Sequence, residues 1–123
     1  MTGLSVGALC CALAVLAGAF GAHGLQGRLD AHALGLWETA ARYLMYSGLG
    51  QVLAGLAAAF SPHGGFRTAA LLLLLGGIVF SGTVFCLAIG GPRWLGAVTP
   101  LGGLLLIAGF VSMAWAGFKI GGP

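Results

Sequence analysis

The chain of 123 residues carries 5 basic and 2 acidic side chains, a net charge of +3, and is 59% apolar against 6% charged. A soluble domain has about 25% charged residues, so a globule of this composition could not cover its own surface in water. Five isolated cations also cannot build the basic stripe that nucleic acid requires, which leaves an integral membrane protein with no nucleic-acid partner.

Crossing ~30 Å of hydrocarbon takes ~20 apolar residues in helical conformation. The first such stretch, 4–22, holds no charge and is followed at once by His23, Gly24, Gln26, Arg28 and Asp30. Ala17, Gly18 and Ala19 would suit a signal peptidase, but no Lys or Arg precedes the stretch and it exceeds a signal core in length, so it is read as a retained span. Over 30–41 the pattern changes. Leu34, Trp37, Ala41 and Leu44 recur at helical spacing while Asp30, Glu38 and Arg42 take another face, which predicts a short amphipathic helix in the membrane interface. Glu38 precedes Arg42 by four residues, the favourable order for an intrahelical pair, and a pair costs less near hydrocarbon than either charge alone. The alternative is a solvated helix face.

The second span, 42–60, holds Ser47 and Gln51 beyond its start and is stopped by Ser61 and Pro62, because the residue before a proline avoids the helical region. The third, 68–89, ends at Gly90, Gly91 and Pro92, a breaker cluster. The fourth, 99–118, is expected to start with Thr99 capping the first turn and Pro100 where no amide partner is needed. Lys119 then snorkels to the interface. Backbone groups in hydrocarbon must be satisfied within a helix or a closed barrel; these stretches are too long for barrel strands and lack their alternation. The expected fold is an all-α membrane protein of one domain, 1–123: a four-transmembrane-helix bundle with a short interfacial amphipathic helix, about 30–41, between spans 1 and 2.

The 24 glycines fit such a fold, since helices in lipid associate through close packing. Small residues recur four apart at Ala14, Gly18 and Ala22, at Gly50, Ala54 and Ala58, and at Ala108, Ser112 and Ala116, with Gly77 and Ser81 on the third span. Trp37, Tyr43, Tyr46 and Trp94 near one boundary and Trp115 near the other read as an aromatic belt. With four spans, the end of the first and third and the start of the second and fourth share one side. A polar cluster of His23, Arg28, Glu38, Arg42, Ser47, Ser81, Arg93 and Thr99 is therefore expected there, with His63, Arg67, Lys119 and both termini opposite. Arg28, Arg42 and Arg93 against Arg67 and Lys119 place the termini outside the cytoplasm by a margin of one charge.

No nucleophile stands beside a base and an orienting group, and no set of three or four Cys or His ligands is spaced for zinc. Cys10 and Cys11 differ in depth from Cys86 by more than ~15 Å along helices, so they are read as small apolar residues, and His23 as a helix-terminus residue. No catalytic residue, metal ligand or cofactor is assigned.

Gly18 to Leu25 (GAFGAHGL), Trp37 to Tyr46 (W-x-T-A-x-x-Y-x-M-Y), Phe80 to Gly82 (FSG) and Leu95 to Gly103 (LGAVTPLGG) are in order along the chain. Together they make it similar to the transmembrane protein 256 family, also called domain of unknown function 423. The resemblance implies a small four-span protein of the inner membrane with no established biochemical activity. Ser47 stands where that family usually has a histidine and Phe85 where it usually has a tyrosine, which argues against histidine-based chemistry here.

Three functions are compatible with these readings: a non-catalytic accessory or assembly component packing through small-residue faces, a lipid or small-solute binder using the polar cluster, and a haem- or metal-dependent redox protein. The first is preferred and the chain is expected not to be an enzyme. Its expected partners are membrane lipids, further copies of itself or subunits of a larger membrane complex.

Overall fold

A computed structural model describes residues 2–61 and 64–121, and these form four helices: α1 (Thr2–His23), α2 (Ala31–Phe60), α3 (Gly65–Ala88) and α4 (Leu95–Gly121). All four are long and apolar enough to cross a membrane. The expected positions of Pro62 and His63 lie outside the described residues.

The helices pack antiparallel and in chain order, α1 on α2, α2 on α3, α3 on α4. Contacts between α1 and α3 and between α2 and α4 are slight, and α1 does not meet α4. The result is an open row whose two edge helices each have one full neighbour. Small residues make the approaches possible. A Cβ at Gly7 would lie 2.6 Å from the Gly48 carbonyl oxygen, and one at Gly109 2.7 Å from Leu73 Cγ. A Cβ at Gly77 would collide with the Ser47 hydroxyl, and one at Gly102 with the Phe80 backbone. The stripes at Gly50 and Ala54, Gly77 and Ser81, and Ala116 are buried inside the row. The stripe on α1 is used only in part: Ala14 is buried, whereas a Cβ added at Gly18 would meet no described residue of another helix within 4 Å and Ala22 is exposed.

Two expectations are corrected. Residues 31–41 are helical, but they are the first third of a continuous α2 of 30 residues rather than a separate interfacial helix. Asp30 explains the start: its carboxylate accepts from the Ala33 amide at 2.8 Å, a helix N-cap. No residue between there and Ser61 breaks the helix, so at ~1.5 Å per residue α2 is about 45 Å long and outreaches the hydrocarbon. The fourth helix starts at Leu95, four residues before Thr99. Its first turn is wound by Leu95, Gly96 and Ala97 amides donating to the carbonyls of Pro92, Arg93 and Trp94, so Thr99 caps nothing.

The connections are compact. After α1, the Gly24 and Leu25 amides both donate to the Phe20 carbonyl, and Gly27 at φ +84° turns the chain toward Asp30. After α3, Gly90 at φ +94° takes the left-handed conformation that glycine adopts without penalty, and the Gly91 amide closes on the Cys86 carbonyl at 2.7 Å. Ser61 is extended, at φ −133° and ψ 128°, as expected before a proline.

Candidate functional site

Buried polar side chains in this row serve the seams between helices. Ser47 of α2 donates to the Leu73 carbonyl of α3 at 2.6 Å. Its single proton is then used, so toward Gln51, 3.0 Å away, it must accept, which fixes the nitrogen of the Gln51 amide on that side. The same amide reaches the Cys10 sulfur of α1 at 3.5 Å. Cys10, Gln51, Ser47 and Leu73 thus join three helices. Further along the α2–α3 seam, Ser81 donates to the Ala40 carbonyl at 2.8 Å. Between α3 and α4, the Thr83 and Thr99 hydroxyls meet at 2.6 Å. Both also lie within bonding distance of carbonyls of their own helices, Val79 and Phe80 for Thr83 and Leu95 for Thr99. Two hydroxyl protons suffice for one bond across the seam and one to backbone.

The eight residues expected to cluster do not form one site. Ser47 and Ser81 sit at separate levels of the α2–α3 seam, and Thr99 meets Thr83 on α4. His23, Arg28, Glu38, Arg42 and Arg93 are exposed at the row's loop end, and none makes an ion pair or side-chain hydrogen bond among the described residues. The Glu38–Arg42 pair is therefore not formed. In a continuous α2 extending beyond the hydrocarbon both side chains are left to solvent or headgroups, where a pair contributes little. His23 and Thr99 belong to α1 and α4, which do not touch.

Trp37 is placed differently from the belt role. Its indole N–H donates to the Ala17 carbonyl of α1 at 2.7 Å, its ring lies over Gly21, and Phe20 and Phe85 meet it edge-on at centroid distances of 6.1 and 4.5 Å. It pins the start of α2 between its neighbours. Tyr43 packs likewise on Phe80 at 4.6 Å. Trp94 and Trp115 are 65% and 64% exposed, as belt residues are, and Lys119 lies over the Trp115 ring at 5.6 Å. The three cysteines are free thiols, Cys10 buried, Cys11 half-buried and Cys86 exposed.

A concavity of about 400 Å³ has Gln51 and Arg67 in its lining, whereas one of about 360 Å³ between α3 and α4, lined by Gly65, Thr68, Val111, Ser112 and Trp115, is shallower and carries no charged group. The larger lies at the opposite end from the expected cluster, with α2 as its floor and α1 and α3 as its walls. Gln51, Ala54, Gly55 and Ala58 line the floor, and Arg67 and Leu74 belong to the α3 wall. Gln51 belongs to none of the sites expected from the sequence. A lone buried amide in an apolar span was the available signal, and only the packing of α1 shows what it faces.

The family described as a protein of unknown function, DUF423, matches residues 17–103. Among curated proteins the chain is similar to UPF0382 membrane proteins. One from Staphylococcus haemolyticus is 44% identical and one from Staphylococcus epidermidis 42%, both over 117 residues covering 95% of either chain. YwdK from Bacillus subtilis is 41% identical over 93% of this chain and 94% of its own. No solved structure matches.

Proposed function

This chain belongs to the DUF423 family of multi-pass membrane proteins, and we propose that it is a non-catalytic packing component, which associates through its edge helices with a second copy or with another membrane subunit. The observation that carries this reading is the open row: α1 and α4 do not meet, so each keeps a helix face with no intramolecular partner. On α1 that face includes the unused end of the small-residue stripe, Gly18 and Ala22, and small residues are what allow helices to associate in lipid. The hydroxyls of Ser47, Ser81, Thr83 and Thr99 are engaged with backbone or with one another across helix seams, which supports a packing role.

Cysteine cross-linking in native membranes tests it. Leu13 of α1 and Leu104 of α4 are 57% and 63% exposed, and Ile78 of α3, 56% exposed, is an internal control. In a background with Cys11 and Cys86 replaced by alanine, Leu13→Cys or Leu104→Cys should give one discrete cross-linked species and Ile78→Cys none. Equal, diffuse cross-linking at all three positions would overturn the reading.

A further inference from the structure

The groove over α2 combines three features that the packing role does not use. The first is an unpartnered acceptor. Gln51 is 1% exposed, and both amide protons are directed to protein atoms, Ser47 Oγ and Cys10 Sγ. Its amide oxygen accepts no hydrogen bond from any described residue, and Gln51 lines the groove. No fully enclosed side-chain nitrogen or oxygen among the described residues lacks a partner, so this oxygen keeps a little open surface toward the groove, where an acceptor bordering hydrocarbon calls for a donor.

The second is an unpartnered cation. Arg67 is exposed on the α3 wall and forms no ion pair or hydrogen bond among the described residues. The antiparallel pairing of Ser47 with Leu73 sets the relative depth. Counted from that pair, Arg67 lies six residues along α3 and Gln51 four along α2 toward the same end, which puts Arg67 at least ~3 Å closer to the membrane boundary. The third is shape. Ala54, Gly55 and Ala58 leave a floor without bulky side chains, and deeper in, Leu71 and Leu74 continue the wall as an apolar track. The slight contact between α1 and α3 leaves the groove open to lipid along its length.

An occupant that fits all three has an anionic head, a hydroxyl donor just beneath it and one apolar chain beneath that. We propose that the groove binds a lysophospholipid, with its phosphate on Arg67, its free glycerol hydroxyl donating to the Gln51 amide oxygen, and its single acyl chain leaving past Leu71 and Leu74. Arginine is suited to phosphate. The free hydroxyl is what separates this ligand from an ordinary diacyl lipid, whose ester at the same carbon offers only an acceptor, opposed to the Gln51 oxygen. A free fatty acid brings the anion and the chain but no donor below the head. The pocket volume of about 400 Å³ lies within the range of ~300–1,000 Å³ for small-molecule sites.

The test is native mass spectrometry of the full chain in mild detergent, titrated separately with palmitoyl lysophosphatidylglycerol, dipalmitoyl phosphatidylglycerol and palmitate. The wild type should retain one lysophospholipid per chain and bind it about tenfold or more tightly than either other lipid, a single hydrogen-bonded group being worth that much when desolvated. Arg67→Gln removes an exposed side chain without partners and leaves the fold intact; it should weaken binding about tenfold. Ala58→Phe fills the floor and should abolish binding, while Arg93→Gln at the other end should change nothing. Equal affinity for the diacyl lipid, binding unaffected by Arg67→Gln, the same loss with Arg93→Gln, or no bound lysophospholipid would each overturn the proposal.

Discussion

Replacing Gly48 by alanine isolates the force that holds α1 to α2. An added Cβ would lie 2.7 Å from the Gly7 carbonyl oxygen, 2.7 Å from Cys11 Sγ and 2.9 Å from the Cys11 amide nitrogen. The thiol can rotate away, but the Gly7 oxygen and Cys11 nitrogen belong to the α1 backbone. Carbon and oxygen rest no closer than about 3.3 Å, so α1 must retreat by roughly 0.6 Å along that contact. Overpacking of this kind costs about 1–3 kcal/mol, and the better helix propensity of alanine returns just under about 1 kcal/mol. The net expectation is a loss of up to about 2 kcal/mol, where an unobstructed site would show a gain. Gly18→Ala on α1 is the matched control, because no described residue of another helix lies within 4 Å of its added Cβ; it should gain about 0.5–1 kcal/mol. Unfolding by SDS titration in mixed micelles compares the two substitutions in one medium. If Gly48→Ala is as harmless as Gly18→Ala, close backbone approach is not what joins these helices.

Ser47→Ala removes the acceptor for Gln51 and the donor to Leu73, and should cost about 1 kcal/mol in the same titration, near the usual worth of such bonds between membrane helices. Trp37→Phe keeps an aromatic ring near Phe20 and Phe85 but loses the bond to Ala17; a loss of about 0.5–1.5 kcal/mol is expected, with hydrogen exchange rising in the first turns of α2. Asp30→Ala deletes the α2 cap and should cost about 1 kcal/mol. Glu38→Gln, at an exposed residue without a partner, should stay within about 0.5 kcal/mol of wild type.

The four spans were legible because a bilayer imposes length and apolarity on each segment independently, and breakers such as Gly90 and Pro92 ended them locally. The continuity of α2 was harder to read. The polar face carrying Glu38 and Arg42 reads as a boundary between elements, whereas the structure has one start, where the Asp30 carboxylate accepts from the Ala33 amide. The aromatic pattern also carried two meanings. Trp94 and Trp115 lie at exposed positions, whereas Trp37 turned inward because Gly21 leaves room for its ring and the Ala17 carbonyl accepts its N–H. The candidate site was least legible. His23, Arg28 and Arg93 share one end of the row, but sharing an end does not bring side chains within bonding distance. Which seam takes Ser47, Ser81 or Thr99 depends on which helices are neighbours, and no local pattern reports that α1 and α4 stay apart.

The mass of the assembly extracted from its own membrane in a lipid-bounded nanodisc, measured for wild type and for Gly18→Leu, tests the packing role most directly. Because, its own helix backbone aside, no described atom lies within 4 Å of a Cβ added at Gly18, the leucine should leave the single chain folded while blocking the free stripe of α1. The account predicts a wild-type protein mass above the 12.2 kDa of one chain, falling to that value in the variant. A wild type already present as a single 12.2 kDa chain, or an assembly that Gly18→Leu leaves unchanged, would contradict it.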